Sequence, residues 1–104
     1  MATSPTQLSL KKLRADGWLA EVVERWVPGA NIRKDLFGWV DIVALKDGVT
    51  LAVQTTSYSN MSARANKIAD SETIAEVRKA NWSIHIHGWH KKDNRWQCKV
   101  RDVS

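Results

Sequence analysis

The feature that most constrains the fold is a pair of apolar, β-branched runs separated by a tight-turn motif. The runs cover residues 37–45 and 49–56, and Lys46-Asp47-Gly48 lies between them. Residues of this type favour strands, and the glycine can adopt the positive φ angle that a short hairpin turn requires. The sequence therefore predicts a β-hairpin over residues 37–56.

Each predicted strand of this hairpin carries one polar side chain in apolar surroundings. Asp41 interrupts the first run and Gln54 the second. A charge in the middle of an apolar strand is costly unless it has a partner. If the strands pair around the predicted turn, both groups lie on adjacent strands at nearly the same level. Two interpretations stay open: polar groups on a solvent-facing sheet surface, or joint ligands of a hard divalent cation such as Mg²⁺, which binds carboxylate and amide oxygens.

The remaining segments alternate between helical and strand periodicity. They predict one α/β domain over residues 1–104, a mixed, twisted sheet flanked by helices in the order α-β-β-β-α-α-β-β. A continuation of the first helix is the alternative for the first predicted strand. The predicted elements outside the hairpin are a basic-faced helix over 6–16, a strand over 18–27, a basic loop over 31–35, helices over 61–70 and 71–80, and strands over 82–89 and 96–103, the last at a sheet edge.

The length and the amino-acid composition of the chain are those of an ordinary globular protein. The chain has 104 residues, 43% of them hydrophobic, which suffices for one domain with its own core. Cys98 is the only cysteine, so an intrachain disulfide is excluded, which suits a reducing compartment. No apolar run approaches the ~20 residues of a membrane span. Residues 1–6 have neither a basic nor an apolar signal-peptide region. These observations predict a cytoplasmic protein.

The charge balance favours a polyanionic partner. The formal net charge is +5, and such an excess attracts nucleic acid through counterion release. Four basic residues would flank the Asp41 edge and could bind phosphates: Arg33, Lys34, Arg64 and Lys67. For any single one of them, a solvated basic surface is the favoured interpretation. The six tryptophans are spread along the chain, which predicts mainly core and sheet-face roles, with a minority free to stack on unpaired bases.

Three segments together resemble the PD-(D/E)XK nuclease superfamily, which includes archaeal-type Holliday junction resolvases and the VRR-NUC group. They are Arg33-Lys-Asp-Leu-Phe-Gly-Trp-Val-Asp41, Gln54-Thr-Thr-Ser57 and Arg64-x-x-Lys67, and the resemblance spans residues 18–90 in outline. It implies a restriction-endonuclease-like fold, with Asp41 as the acid of the second core strand and Gln54 at the first position of the (D/E)-x-K motif. It also implies a metal-dependent endonuclease for structured or branched DNA, in which Asp41 and Gln54 bind Mg²⁺ (or Mn²⁺), acting as a homodimer.

The chain departs from the family pattern at two places. The family lysine falls at Thr56, which has no amine, so the resemblance makes Lys67 or Arg64 on the following helix the candidate replacement. The first helix lacks the glutamate that the family often has there. Glu24 or Glu21 could substitute, and strand alternation favours Glu24. These departures leave open the alternative of a catalytically degenerate module of the same fold that binds nucleic acid without cutting it.

Two further groups have open interpretations. Asp35 is either a second metal ligand or an acid that orders its loop, and the sequence favours the loop role. His85 and His87 share one strand face at a spacing that can chelate zinc. Because His90 is the sole further ligand candidate nearby, we favour sheet-surface packing or substrate contact for this pair.

Overall fold

The structure is a computed structural model that describes residues 3–104, so Met1 and Ala2, the first two residues of the predicted domain, lie outside it. It confirms the predicted mixed α/β architecture, a five-stranded sheet with flanking helices. None of the described helices is long and apolar enough to cross a membrane. The elements are α1 (Pro5–Ala15), β1 (Leu19–Val22), β2 (Glu24–Val27), β3 (Ile32–Asp35), β4 (Ile42–Lys46), β5 (Val49–Ser57), a 3₁₀ turn (Tyr58–Asn60), α2 (Met61–Ala69), α3 (Ile74–Lys79), β6 (Ser83–Lys92) and β7 (Arg95–Asp102).

The central hairpin forms in the predicted register. In the β4–β5 pair, Ile42 lies opposite Val53, and the connecting residues Asp47 and Gly48 have φ angles of 51° and 80°. Two consecutive positive φ angles define the turn type that matches the twist of a two-residue hairpin. The backbone N–H of Asp41 donates to the carbonyl of Val53 over 2.9 Å, which extends the pairing by one residue. Asp41 and Gln54 therefore reach the same level of the sheet.

The five-stranded sheet has the order β1-β4-β5-β6-β7. β5 and β6 are parallel, and α2 and α3 form the crossover between them, whereas the other neighbouring pairs are antiparallel. Helix α1 packs on one face of the sheet, where its Leu10 and Leu13 side chains contact the apolar side chains of β1, β4 and β5. Helices α2 and α3 cover the other face. The central strand β5 is consequently buried on both sides, and β7 is an edge strand as predicted.

The segment before the hairpin differs from the prediction. The strand predicted over 18–27 is two strands: β1 joins the large sheet, and β2 pairs with β3 in a separate two-stranded antiparallel ribbon. β3 occupies the segment predicted as a basic loop. The sequence of β3 shows no alternation of apolar and polar residues, because the ribbon is largely exposed and few of its side chains pack in a core. The first hairpin strand also begins later than predicted, at Ile42, because Phe37 and Gly38 form a turn with positive φ angles of 57° and 80°.

A buried polar network holds α1 against the sheet. The hydroxyl of Ser9, on α1, accepts a hydrogen bond from the Trp89 indole N–H over 2.8 Å and lies 2.9 Å from His87 Nδ1. His87 is therefore enclosed beneath a helix, which differs from the sheet-surface or substrate-contact roles favoured by the sequence. Burial lowers the pKa of His87 to about 4, so the imidazole is neutral at physiological pH. His85 instead lies 3.7 Å from the carboxylate of Asp102.

Of the six tryptophans, two are buried, two are half-buried and two are exposed. Trp39 and Trp89 are buried, and the Trp39 indole donates to the Thr73 hydroxyl over 2.8 Å. Trp26, on the ribbon, and Trp96, on the edge strand, are 53% and 43% exposed. Exposed large aromatic rings at the two margins of the fold are available for contact with other molecules.

Candidate metal centre

Asp41 is fixed by three hydrogen bonds at the start of the hairpin. It lies one residue before β4 and is buried, 5% exposed. Its Oδ2 atom accepts from the Gln54 side-chain amide over 2.9 Å, from the Thr55 backbone N–H over 2.7 Å and from the Thr55 hydroxyl over 3.1 Å. Thr55 Oγ1 is in turn 2.8 Å from the hydroxyl of Thr6 on α1. The carboxylate is thus held at one oxygen, and Oδ1 is free of these three contacts.

The ribbon brings two more carboxylates to Asp41. Glu24 on β2 lies directly opposite Asp35 on β3. One carboxylate oxygen from each of Glu24, Asp35 and Asp41 lies within 4.8 Å of the other two. Among residues 3–104 this is the single cluster of three His, Cys, Asp or Glu side chains at metal-binding spacing. Three carboxylates so close repel one another unless a proton or a cation lies between them. The cluster could therefore hold a metal ion.

Gln54 contributes differently from the prediction. Its side-chain nitrogen, and not its oxygen, contacts Asp41. The amide oxygen, Oε1, is buried and has no hydrogen-bond partner among the described residues. A buried acceptor without a protein partner costs free energy unless a water molecule or an ion satisfies it. Oxygen donors from carboxylates and an amide are those that a hard divalent cation takes, so this donor set fits such an ion.

The pKa of Asp41 reflects the same surroundings. Burial, the largest cause, and the negative charge of Asp35 together raise this pKa from 3.8 to about 7. The hydrogen bond from the Thr55 backbone opposes the rise but does not cancel it. Without a cation, the site therefore exchanges a proton near neutral pH. A cation among the carboxylates would favour the ionised form instead.

The cluster opens into a cleft of about 390 Å³ between α1, the ribbon, the end of β5 and α2. Arg33 and Arg64 line it together with the three carboxylates. Arg33 lies 3.5 Å from Glu24, on the ribbon face that carries both acids. The cleft therefore combines a candidate cation site with two guanidinium groups, which suit bidentate contacts to phosphate.

The structure separates the other predicted residues. Lys34 lies on the opposite face of the ribbon, beside Arg25, and lines a different hollow. Lys67 is exposed on α2 and is absent from the cleft lining, whereas Arg64, three residues earlier, is part of it. Thr56 lines the cleft. Glu21 is exposed and pairs with Arg14 over 3.7 Å, away from the cluster that contains Glu24.

Asp35 is the cleft residue that sequence reasoning undervalued. Its placement depends on the ribbon, because the β2–β3 pairing sets it opposite Glu24. The available signal was its proximity to Asp41, six residues later, across a turn containing Gly38. Such a turn returns the chain toward itself, as the bridge between Leu36 and Val40 shows.

Comparison with known proteins adds no assignment to this geometry. No protein-family model matches the chain, and no curated protein matches it.

Proposed function

We propose that this protein is a metal-dependent endonuclease that cuts DNA, in the manner of the PD-(D/E)XK enzymes that its motifs resemble. The observation that carries the proposal is the convergence of Glu24, Asp35 and Asp41 in an open cleft that Gln54 also lines. Such a donor set suits Mg²⁺ (or Mn²⁺). The +5 net charge and the two arginines of the cleft suit a polyanionic substrate.

The residues of the cleft divide the work of phosphodiester hydrolysis. When bound, the divalent cation would supply an activated water and offset charge on the scissile phosphate. Glu24, Asp35 and Asp41 would hold it, with Gln54 Oε1 as a neutral fourth donor. Thr55 orients the Asp41 carboxylate through two hydrogen bonds. Arg64 and Arg33 would bind the phosphate oxygens and fix the strand in the cleft.

The preferred substrate in this proposal is branched or otherwise structured DNA, which the resolvase-like motifs favour. Cutting two strands at a branch needs two clefts, which is consistent with a homodimer.

The proposal is tested with the purified chain on a four-way DNA junction, a linear duplex and a single strand. We expect nicking with Mg²⁺ or Mn²⁺ and none with EDTA. Glu24→Gln should reduce the cleavage rate tenfold or more and weaken Mn²⁺ binding in calorimetry. Glu21→Gln is the matched control, because Glu21 is three residues away and exposed, and its rate should stay within twofold of the original. Equal rates for both variants would contradict the assignment of Glu24.

Arg64→Ala is expected to slow cleavage by about 10- to 100-fold, because loss of one phosphate contact costs about 1.4–2.7 kcal/mol of transition-state stabilisation. Lys67→Ala on the same helix should change the rate less than twofold, because Lys67 is not part of the cleft. Single-turnover cleavage of the same DNA at saturating protein measures both. A large loss of cleavage rate for Lys67→Ala alone would contradict this expectation and would assign Lys67, instead of Arg64, as the replacement for the family lysine.

One observation favours a second candidate, a nucleic-acid-binding module without catalysis. Thr56 occupies the position of the family lysine, and no lysine lines the cleft within the described part of the chain. This candidate predicts salt-sensitive DNA binding with no cleavage at any divalent-ion concentration. The cleavage assay with Mg²⁺ and Mn²⁺ separates the two.

A further inference from the structure

A second groove adjoins the candidate metal centre but shares none of its carboxylates. It has a volume of about 430 Å³ and lies between the 3₁₀ turn, the start of α2 and the edge strand β7. We call it the β7 groove. Its lining includes Tyr58, Ser59, Met61, Lys99 and Arg101, and none of its lining residues is acidic.

The strand register explains why the two cations face this groove. In the β6–β7 pair, Lys99 lies opposite Gly88 and Arg101 opposite Ile86. Paired residues in antiparallel strands share a face, and Ile86 belongs to the core beneath α2 and α3. Lys99 and Arg101 therefore project on the side of α2, beyond its end. Arg95 lies an even number of residues before both, so it shares their face of β7 and extends the row of basic side chains.

The groove also presents an aromatic ring. Tyr58 is 45% exposed. The centroids of the Tyr58 and His90 rings are 5.0 Å apart, and the two ring planes make an angle of 54°. Lys99 Nζ lies 5.5 Å from the centroid of the Tyr58 ring. Within residues 3–104, neither Lys99 nor Arg101 forms an ion pair with an acidic side chain. Two available cations beside a ring held by its neighbours are the elements of a stacking platform for unpaired bases.

The groove is continuous with the cleft along the chain. Ser57 lines the cleft, and Tyr58 and Ser59, which follow it, line the groove. The hydroxyls of Ser57 and Ser59 are 3.3 Å apart across this junction. A strand that leaves the candidate metal centre past Ser57 therefore meets Tyr58 and then the basic row of β7.

We propose that the β7 groove binds an unpaired stretch of the DNA substrate next to the cleavage site, an inference that rests on the proposed function. Bases stack on Tyr58 beside His90, and Lys99 and Arg101 contact phosphates. A base-paired segment keeps its base faces stacked inside the duplex, so it cannot use the tyrosine ring in this way. The enzyme would therefore prefer junctions, flaps or overhangs that expose a single-stranded segment.

A second copy of the chain fits the groove less well. Direct pairing of two β7 strands would bring Arg95, Lys99 and Arg101 of one copy near those of the other. Like charges on adjacent strands destabilise the pairing. An acidic protein segment would satisfy the cations but leave the exposed ring without a role.

The test measures fluorescence anisotropy of a labelled oligothymidylate and of a blunt duplex, with wild-type protein and variants in EDTA so that nothing is cut. Tyr58→Ala should weaken single-strand binding fivefold or more, whereas Tyr58→Phe, which keeps the ring, should bind within twofold of wild type. The double variant Lys99→Ala/Arg101→Ala should weaken it at least tenfold and reduce the slope of log K against log salt by about 1.4. Lys79→Ala, an exposed lysine on α3 paired with Glu76, is the charge-loss control.

The outcomes separate the groove from the cleavage mechanism. Equal losses on the duplex and the single strand, or unchanged single-strand binding by Tyr58→Ala with wild-type circular dichroism, would overturn the groove proposal even if the protein cuts DNA. Competition by polyglutamate as strong as that by oligothymidylate would assign the groove to acidic proteins and also overturn it. Tyr58-dependent single-strand binding without metal-dependent cleavage would support the groove and refute the proposed endonuclease.

Discussion

Asp41→Asn is expected to abolish metal-dependent cleavage while stabilising the metal-free protein above pH 7. Removing the charged ligand that the backbone orients should cost about 10³-fold or more in rate, since a bound metal contributes several kcal/mol to catalysis. Asparagine keeps an oxygen that can accept the Thr55 backbone hydrogen bond. It removes the buried negative charge, which the metal-free site accommodates poorly because of burial and of Asp35.

The sign of the pH dependence follows from the direction of the shift. The pKa of Asp41 is raised from 3.8 to about 7 on folding. Between these values the metal-free folded protein retains a proton that the unfolded chain has released, so stability falls as pH rises through this range. The upper limit of the loss is roughly 4 kcal/mol, from about 1.4 kcal/mol for each pKa unit. The Asn variant lacks this decline.

Urea denaturation in EDTA at pH 5 and pH 8 measures the effect. The stability of Asp41→Asn relative to wild type should rise between the two pH values, and Mg²⁺ should stabilise only the wild type. Metal affinity should also fall about tenfold for each pH unit below 7, because the cation must displace the Asp41 proton. A variant destabilised at pH 8 at least as much as at pH 5 would contradict the assignment of a buried charge.

His87 is expected to produce the opposite pH dependence on the acid side. Its pKa falls from 6.5 to about 4 on folding because the ring is buried beneath α1. The stability that the neutral ring contributes is present above pH 6.5 and is lost as pH falls toward 4, since the unfolded chain takes up the proton first. The loss is at most roughly 3 kcal/mol, from about 1.4 kcal/mol for each pKa unit.

His87→Gln tests this expectation, because glutamine is uncharged and can still hydrogen-bond to Ser9. The difference in unfolding free energy between variant and wild type should shift in favour of the variant as pH falls from 7 to 4. Comparing the two proteins at each pH cancels the contribution of Asp41. His90→Gln, which removes a half-buried histidine from the same strand, is the control. A constant difference for His87→Gln across this range would mean that the ring takes up its proton equally in the folded and unfolded chains, and would contradict the lowered pKa.

Local patterns were enough to predict the central hairpin and most of the elements around it. The turn between the two apolar runs determines the β4–β5 register, because the turn type and the loop length of a hairpin fix which residues pair. The same register brings Asp41 and Gln54 together. Helical periodicity predicted α1, α2 and α3, and strand alternation predicted β6 and β7, each to within a few residues.

The rest of the candidate site depends on contacts between segments whose sequences carry no mark of them. The β2–β3 ribbon is mostly exposed and its second strand was not predicted, yet its pairing delivers Glu24 and Asp35 to Asp41. The packing of α2 on the sheet turns Arg64, and not Lys67, into the cleft. The docking of α1 encloses His87. Hydrophobic periodicity reports which face of a segment is buried, but the direction in which a polar side chain meets a distant neighbour is set only when the chain folds.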